Sequence, residues 1–113
     1  MTEPDDTAPG DSDPDDEASD DERWLIVDRR RWRRTDPSLP EDVVQALKSH
    51  LGRGRSGVRV AKRAGDEDAV AAARTRVGLA KHGLGERGPY WWDDPEDVRL
   101  ARAHEALRQL DAL

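Results

Sequence analysis

The chain has 113 residues, 39% of them charged, with a formal net charge of -6 and a mean hydropathy of -0.98. Leu, Ile, Val and Phe make up about 17% of it, under the rough 20% below which highly charged chains tend toward disorder, so one small folded unit with a thin core is expected. Cysteine is absent, which excludes disulfides and thiolate metal sites. No apolar run approaches the roughly 18 residues of a membrane span, and Met1 to Gly10 lacks the pattern of a secretion signal. The expectation is a soluble cytoplasmic protein with no membrane partner.

Residues 1–22 hold eleven acidic side chains, no basic one, three prolines and no large apolar residue after Met1. That composition predicts a disordered acidic tail. The tail carries -11 of the charge and leaves +5 on residues 23–113, so the folded part alone is basic. The tail is either a solubilising extension or a decoy that masks a basic surface.

Residues 23–113 are expected to form a single small domain. Trp24 to Val27 is a run of β-formers, and Arg30 to Arg34 around Trp32 returns antiparallel across a turn near Asp28-Arg29, giving a β-hairpin over 24–34. With a two-residue turn, Leu25, Val27, Trp32 and Arg30 share one face, and Trp24, Ile26, Arg31 and Arg33 the other. Arg29 is poorly suited to the positive φ of such a turn, which leaves a three-residue loop open as an alternative. A lone two-stranded ribbon is marginal in water, so it is expected to pack on the helices that follow.

Helix one is predicted over 39–64, opened by a capping box of Ser38 with Glu41 and by Pro40 in the first turn. Its seam runs Val44, Leu47, Leu51, Gly54, Val58, Ala61. Gly52, Gly54 and Gly57 each cost about 1 kcal/mol relative to Ala; Gly-Arg-Gly-Arg-Ser-Gly is thus either a kink or small-residue seam, the plainer reading, or a basic loop holding an anion. Gly65 stops this helix and Asp66 caps helix two, predicted over 67–86 with a seam of Val70, Ala73, Val77, Ala80, Leu84 and an end at Gly88-Pro89. The two form a closely approaching antiparallel hairpin, coiled-coil-like in its spacing. Helix three is predicted over 95–112, capped by Asp94 with Pro95 at its first position and a seam of Leu100, Ala103, Leu107, Leu110. The fold class expected is therefore mainly α: a small N-terminal β-hairpin on a helical hairpin plus a C-terminal helix, preceded by the acidic tail. Helix three closes the core only if it covers the open side of the hairpin; otherwise an apolar stripe stays exposed, and a symmetric dimer is expected ahead of a monomer.

No catalytic constellation is visible. His50, His82 and His104 fall on three different helices with no partner spaced to share a metal and are expected to be exposed; Ser38 and Ser56 have no nearby base. The expectation is no enzyme, no metal, no cofactor and no small-molecule substrate. What remains is a surface. Trp24, Arg29, Arg30, Arg31, Trp32, Arg33 and Arg34, with Trp91 and Trp92, are the candidate binding residues, because Trp and Arg dominate protein hot spots and also stack on bases and contact phosphates. The first reading is a non-catalytic interaction protein that binds a protein partner, or itself, through the hairpin. The alternative is a nucleic-acid-binding module masked by its tail.

Arg23-Trp24-Leu25-Ile26-Val27, Arg31-Trp32-Arg33-Arg34-Thr35-Asp36-Pro37, Leu39-Pro40-Glu41-Asp42-Val43, Ala80-Lys81, Leu84-Gly85-Glu86-Arg87-Gly88-Pro89 and Trp91-Trp92 together resemble a group of short uncharacterised bacterial proteins sometimes labelled as Tol-type biopolymer transporters. The resemblance covers about residues 23–113. It implies a continuous helix through Gly52 to Gly57, where members carry Ala and Met, and no established activity; the transporter label conflicts with a chain that shows no membrane span.

Overall fold

A computed structural model describes residues 22–113, and the expected tail lies, apart from Glu22, outside the described residues. The single domain expected over 23–113 resolves into two compact units, Met1–Arg34 and Thr35–Leu113. The described part of the first is a two-stranded antiparallel ribbon, β1 (Trp24–Val27) and β2 (Arg30–Arg33). The second holds α1 (Glu41–Ala64), α2 (Glu67–Leu84), a 3-10 turn (Trp91–Asp93) and α3 (Glu96–Asp111).

Helices α1 and α2 pack as an antiparallel hairpin and α3 lies mainly against α2. Leu39, Val43, Leu47 and Leu51 meet Ala80, Leu84, Ala103, Ala106 and Leu110 in one core, with Val44, Val77, Leu79, Leu100 and Leu107 packed around it. The predicted seams are largely these residues, since spacings of three and four hold one helix face inward. Helix three contributes Ala103, Ala106 and Leu110 to that core.

Helix α1 runs unbroken through its glycines. Gly54 is the reason the hairpin closes tightly: a Cβ there would sit 2.7 Å from Val77 Cγ2 and 3.1 Å from the Val77 nitrogen. Gly83 does the same for all three helices, because its Cβ would lie 2.8 Å from both Ala106 Cβ and Leu47 Cδ2. Close backbone approach offsets the poor helix propensity of glycine at both points.

The helix ends correct four expectations. Pro40, not Ser38, precedes α1, and no side chain caps it; Ser38 is drawn away to Asp36. Pro95 likewise precedes α3, while Asp94 pairs with Arg102. Helix α2 ends at Gly85 (φ 80°), before Gly88-Pro89, because that left-handed residue accommodates the backbone bonds from Gly85 and Glu86 to His82 and Lys81. Asp66 does cap α2, its carboxylate accepting from Ala69 N at 3.0 Å, and Gly65 (φ 71°) does stop α1.

Candidate interaction ribbon

The ribbon register pairs Trp24 with Arg33, Leu25 with Trp32, Ile26 with Arg31 and Val27 with Arg30. That is the two-residue turn, and the two faces are those the alternation predicts. Asp28 (φ 52°) and Arg29 (φ 68°) both take left-handed backbone. Asp tolerates this conformation; Arg pays roughly 1–2 kcal/mol for it, a strain offset by the ladder it closes.

On one face the Arg31 guanidinium lies over the Trp24 ring, 4.2 Å from its centroid, and Arg34 Nε donates to the Trp24 carbonyl at 3.1 Å. Such a cation–π pair holds the arginine stem flat and Trp24 half-covered. The other apolar residues stay open: Ile26 is 69% exposed, Val27 45%, Trp32 43% and Leu25 40%. Arg29, Arg30 and Arg31 are exposed beside them, and Arg33 is half-buried. A four-residue strand with three exposed aliphatics next to an exposed Trp and three guanidiniums carries the residue types that dominate protein contact surfaces.

Trp91 and Trp92, read from the sequence as candidate binding residues, belong to the helical unit. Trp91 is only 6% exposed and is a core residue there. It packs edge-on to Trp92 with centroids 5.1 Å apart and under the Arg99 guanidinium at 5.4 Å, while Trp92 is half-buried and stacks on Tyr90 at 4.7 Å.

Close to Trp91, across Gly85, lies Asp36, which is 2% exposed. One of its oxygens accepts from Ser38 N at 2.9 Å, Ser38 Oγ at 2.8 Å and Arg99 Nη1 at 3.0 Å, and its own N–H donates to the Leu84 carbonyl at 2.9 Å. Thr35 Oγ1 donates to Glu86 at 2.7 Å. A Cβ on Gly85 would be 3.0 Å from Trp91 and 3.2 Å from Asp36 Cβ. The Thr-Asp-Pro and Leu-Gly-Glu-Arg-Gly segments, distant in sequence, thus form one buried, charge-paired joint. Its role is structural: the Asp36 carboxylate, the Ser38 hydroxyl and the Thr35 hydroxyl all find partners within the unit, and of the Arg99 guanidinium the Nη1 is paired while the buried Nε has no partner among the described residues.

His50 also corrects an expectation, being 5% exposed rather than open. Its Nε2 lies 3.0 Å from Asp111 Oδ1, and its Nδ1 lies 2.7 Å from both Arg53 Nη2 and Arg76 Nη1. Guanidinium only donates, so Nδ1 accepts and Nε2–H donates to Asp111, tying all three helices together. His82 is half-buried, and burial with the nearby Arg102 charge pushes its pKa below the ordinary value. His104 is exposed. Among the described residues no three His, Cys, Asp or Glu side chains converge to hold a metal, and no helix is long and apolar enough to cross a membrane.

No protein-family model matches the chain, and neither the curated proteins nor the solved structures supply a match.

Proposed function

We propose that the chain is a non-catalytic interaction protein in which the helical unit is scaffold and the ribbon Trp24–Arg33 docks a protein partner. The partner chemistry that fits is an acidic surface with an apolar cleft: Leu25, Val27 and Trp32, which share one face, enter the cleft and the arginines pair with carboxylates at its rim. The observation that carries this reading is the set of exposed apolar residues on so short a ribbon, Ile26 at 69%, Val27 at 45%, Trp32 at 43% and Leu25 at 40%. Leu25, Val27 and Trp32 lie together on one face, and an apolar face of that kind is seldom left open without a use for it. The acidic tail is a competitor for the same arginines, at the millimolar effective concentration that tethering gives.

The test is affinity capture from native cells with the full chain, with Val27→Asp and with Trp32→Ala, each with and without nuclease. A protein captured by the parent, retained after nuclease and lost with both ribbon variants supports the reading. Capture that vanishes with nuclease points instead to the nucleic-acid reading, and capture indifferent to both variants removes the ribbon from the account.

A further inference from the structure

A second basic surface lies on the helical unit, and of its residues the sequence pointed only to Arg55, as part of a basic loop holding an anion. Arg55 and Val58 of α1, Arg74 and Val77 of α2, and Arg87 from the loop after α2 line a cavity of about 380 Å³. On each helix the arginine and the valine stand three residues apart, which puts a guanidinium beside a branched apolar side chain on the same face. Arg87 reaches back along α2: its Nη1 lies 3.6 Å from where a Cβ on Gly78 would be. The result is an apolar floor of two valines with three guanidiniums around it.

The charge in this cavity is not balanced by neighbours. Arg99, Arg102 and Arg108 pair with carboxylates, whereas among the described residues Arg55, Arg74 and Arg87 have no carboxylate within ion-pair distance. Every charged side chain between Val43 and Gly65, and between Ala69 and Gly85, is basic. Lys81, half-buried on α2, feels the consequence: burial first, then the charges of Arg87 and Arg55, push its pKa below the ordinary value, against a smaller opposing pull from Glu86. Gathering like charges at one opening is unfavourable for the fold alone. It becomes favourable when a multiply charged anion sits among them.

Guanidinium forks match phosphate oxygens bidentately, and a volume of this size is that of a small-molecule site. We propose that the cavity between Arg55, Arg74 and Arg87 binds a nucleoside di- or triphosphate, its phosphates held by the three guanidiniums and its base laid against Val58 and Val77. This replaces the expectation of no small-molecule ligand and is independent of what the ribbon binds. A phosphate chain could also come from the backbone of a nucleic acid, and the test separates the two sources.

The experiment is calorimetric titration of the full chain at low salt with ATP, with inorganic pyrophosphate and with a short single-stranded oligonucleotide, repeated on Arg55→Gln, Arg74→Gln, Arg87→Gln and Arg108→Gln. All four arginines are exposed, so the variants keep the fold, which their melting curves verify. ATP is expected to bind more tightly than pyrophosphate because it adds the contact with the valines. Each cavity variant is expected to weaken ATP about tenfold or more, the usual effect of losing a charge-assisted hydrogen bond, while Arg108→Gln leaves it unchanged. The proposal is overturned if neither ATP nor pyrophosphate binds at millimolar concentration, if the three cavity variants bind ATP as the parent does, or if only the oligonucleotide binds.

Discussion

In the ribbon, Leu25, Ile26 and Val27 stand open to solvent beside arginines, whereas in the unit Thr35–Leu113 the side chains of Leu47, Leu84 and Leu110 are wholly enclosed. The same aliphatic chemistry is spent in opposite ways. A two-stranded ribbon whose faces both carry arginine has no face to bury, while three helices with apolar positions three and four apart each offer one stripe, and three stripes close on one another. The polar residues divide the same way. Asp36 and His50 find their partners inside the helical unit, and the arginines of the ribbon turn face solvent. One region encloses its aliphatics and the other leaves them exposed.

The largest expected effect falls on the helical side. Asp36→Ala removes the acceptor of two Ser38 bonds and leaves the Arg99 guanidinium buried without its carboxylate. Breaking one side of such a pair costs about 3–5 kcal/mol, a large part of what a small domain has. Urea denaturation should show a midpoint shifted far down; a loss under about 1 kcal/mol would mean the joint is ornamental.

A smaller effect separates packing from propensity. Helix propensity alone says that Gly83→Ala stabilises α2 by about 1 kcal/mol. The contacts of 2.8 Å to Ala106 Cβ and Leu47 Cδ2 say the opposite, since the Ala106 Cβ is fixed to its backbone and cannot turn aside. Overpacking of this kind costs about 1–3 kcal/mol, so the net change should be destabilising. A raised melting temperature would show that α2 and α3 are looser than described.

Smaller still is the effect expected in the ribbon. Arg29→Gly relieves the left-handed strain at φ 68° and should firm the turn by about 0.5–1 kcal/mol after the added chain entropy of glycine is counted. Cross-strand nuclear Overhauser effects between Leu25 and Trp32 should strengthen while the melting of the helices stays put. A weakened ribbon would mean that the Arg29 side chain, not the backbone, holds the turn.

Much of this was legible in the sequence for physical reasons. The helical hairpin was readable because Leu47, Leu51, Ala80 and Leu84 repeat at helix spacing, and the ribbon because β-formers flank a turn. The ends were less so: Ser38 and Asp94 look like caps, but Asp36 and Arg102 compete for them, and competition across the fold has no local signature. Trp91 reads as a surface aromatic among acids, yet the left-handed Gly85 turns the chain back and places it inside. His50 sits one position from a seam leucine, too close to the edge of the stripe for spacing to decide. Arg55, Arg74 and Arg87 are brought together only by the close approach that Gly54 allows.

The division between an exposed ribbon and an enclosed helical core is tested most directly by hydrogen exchange on the full chain. The account predicts that ribbon amides between Leu25 and Trp32 exchange through openings that cost about 1 kcal/mol or less, as a two-stranded ribbon does. The amides of Leu47, Leu84 and Leu110 should exchange only through global unfolding, at least about a hundredfold more slowly relative to their intrinsic rates. Ribbon amides protected as strongly as those of Leu84 would contradict it.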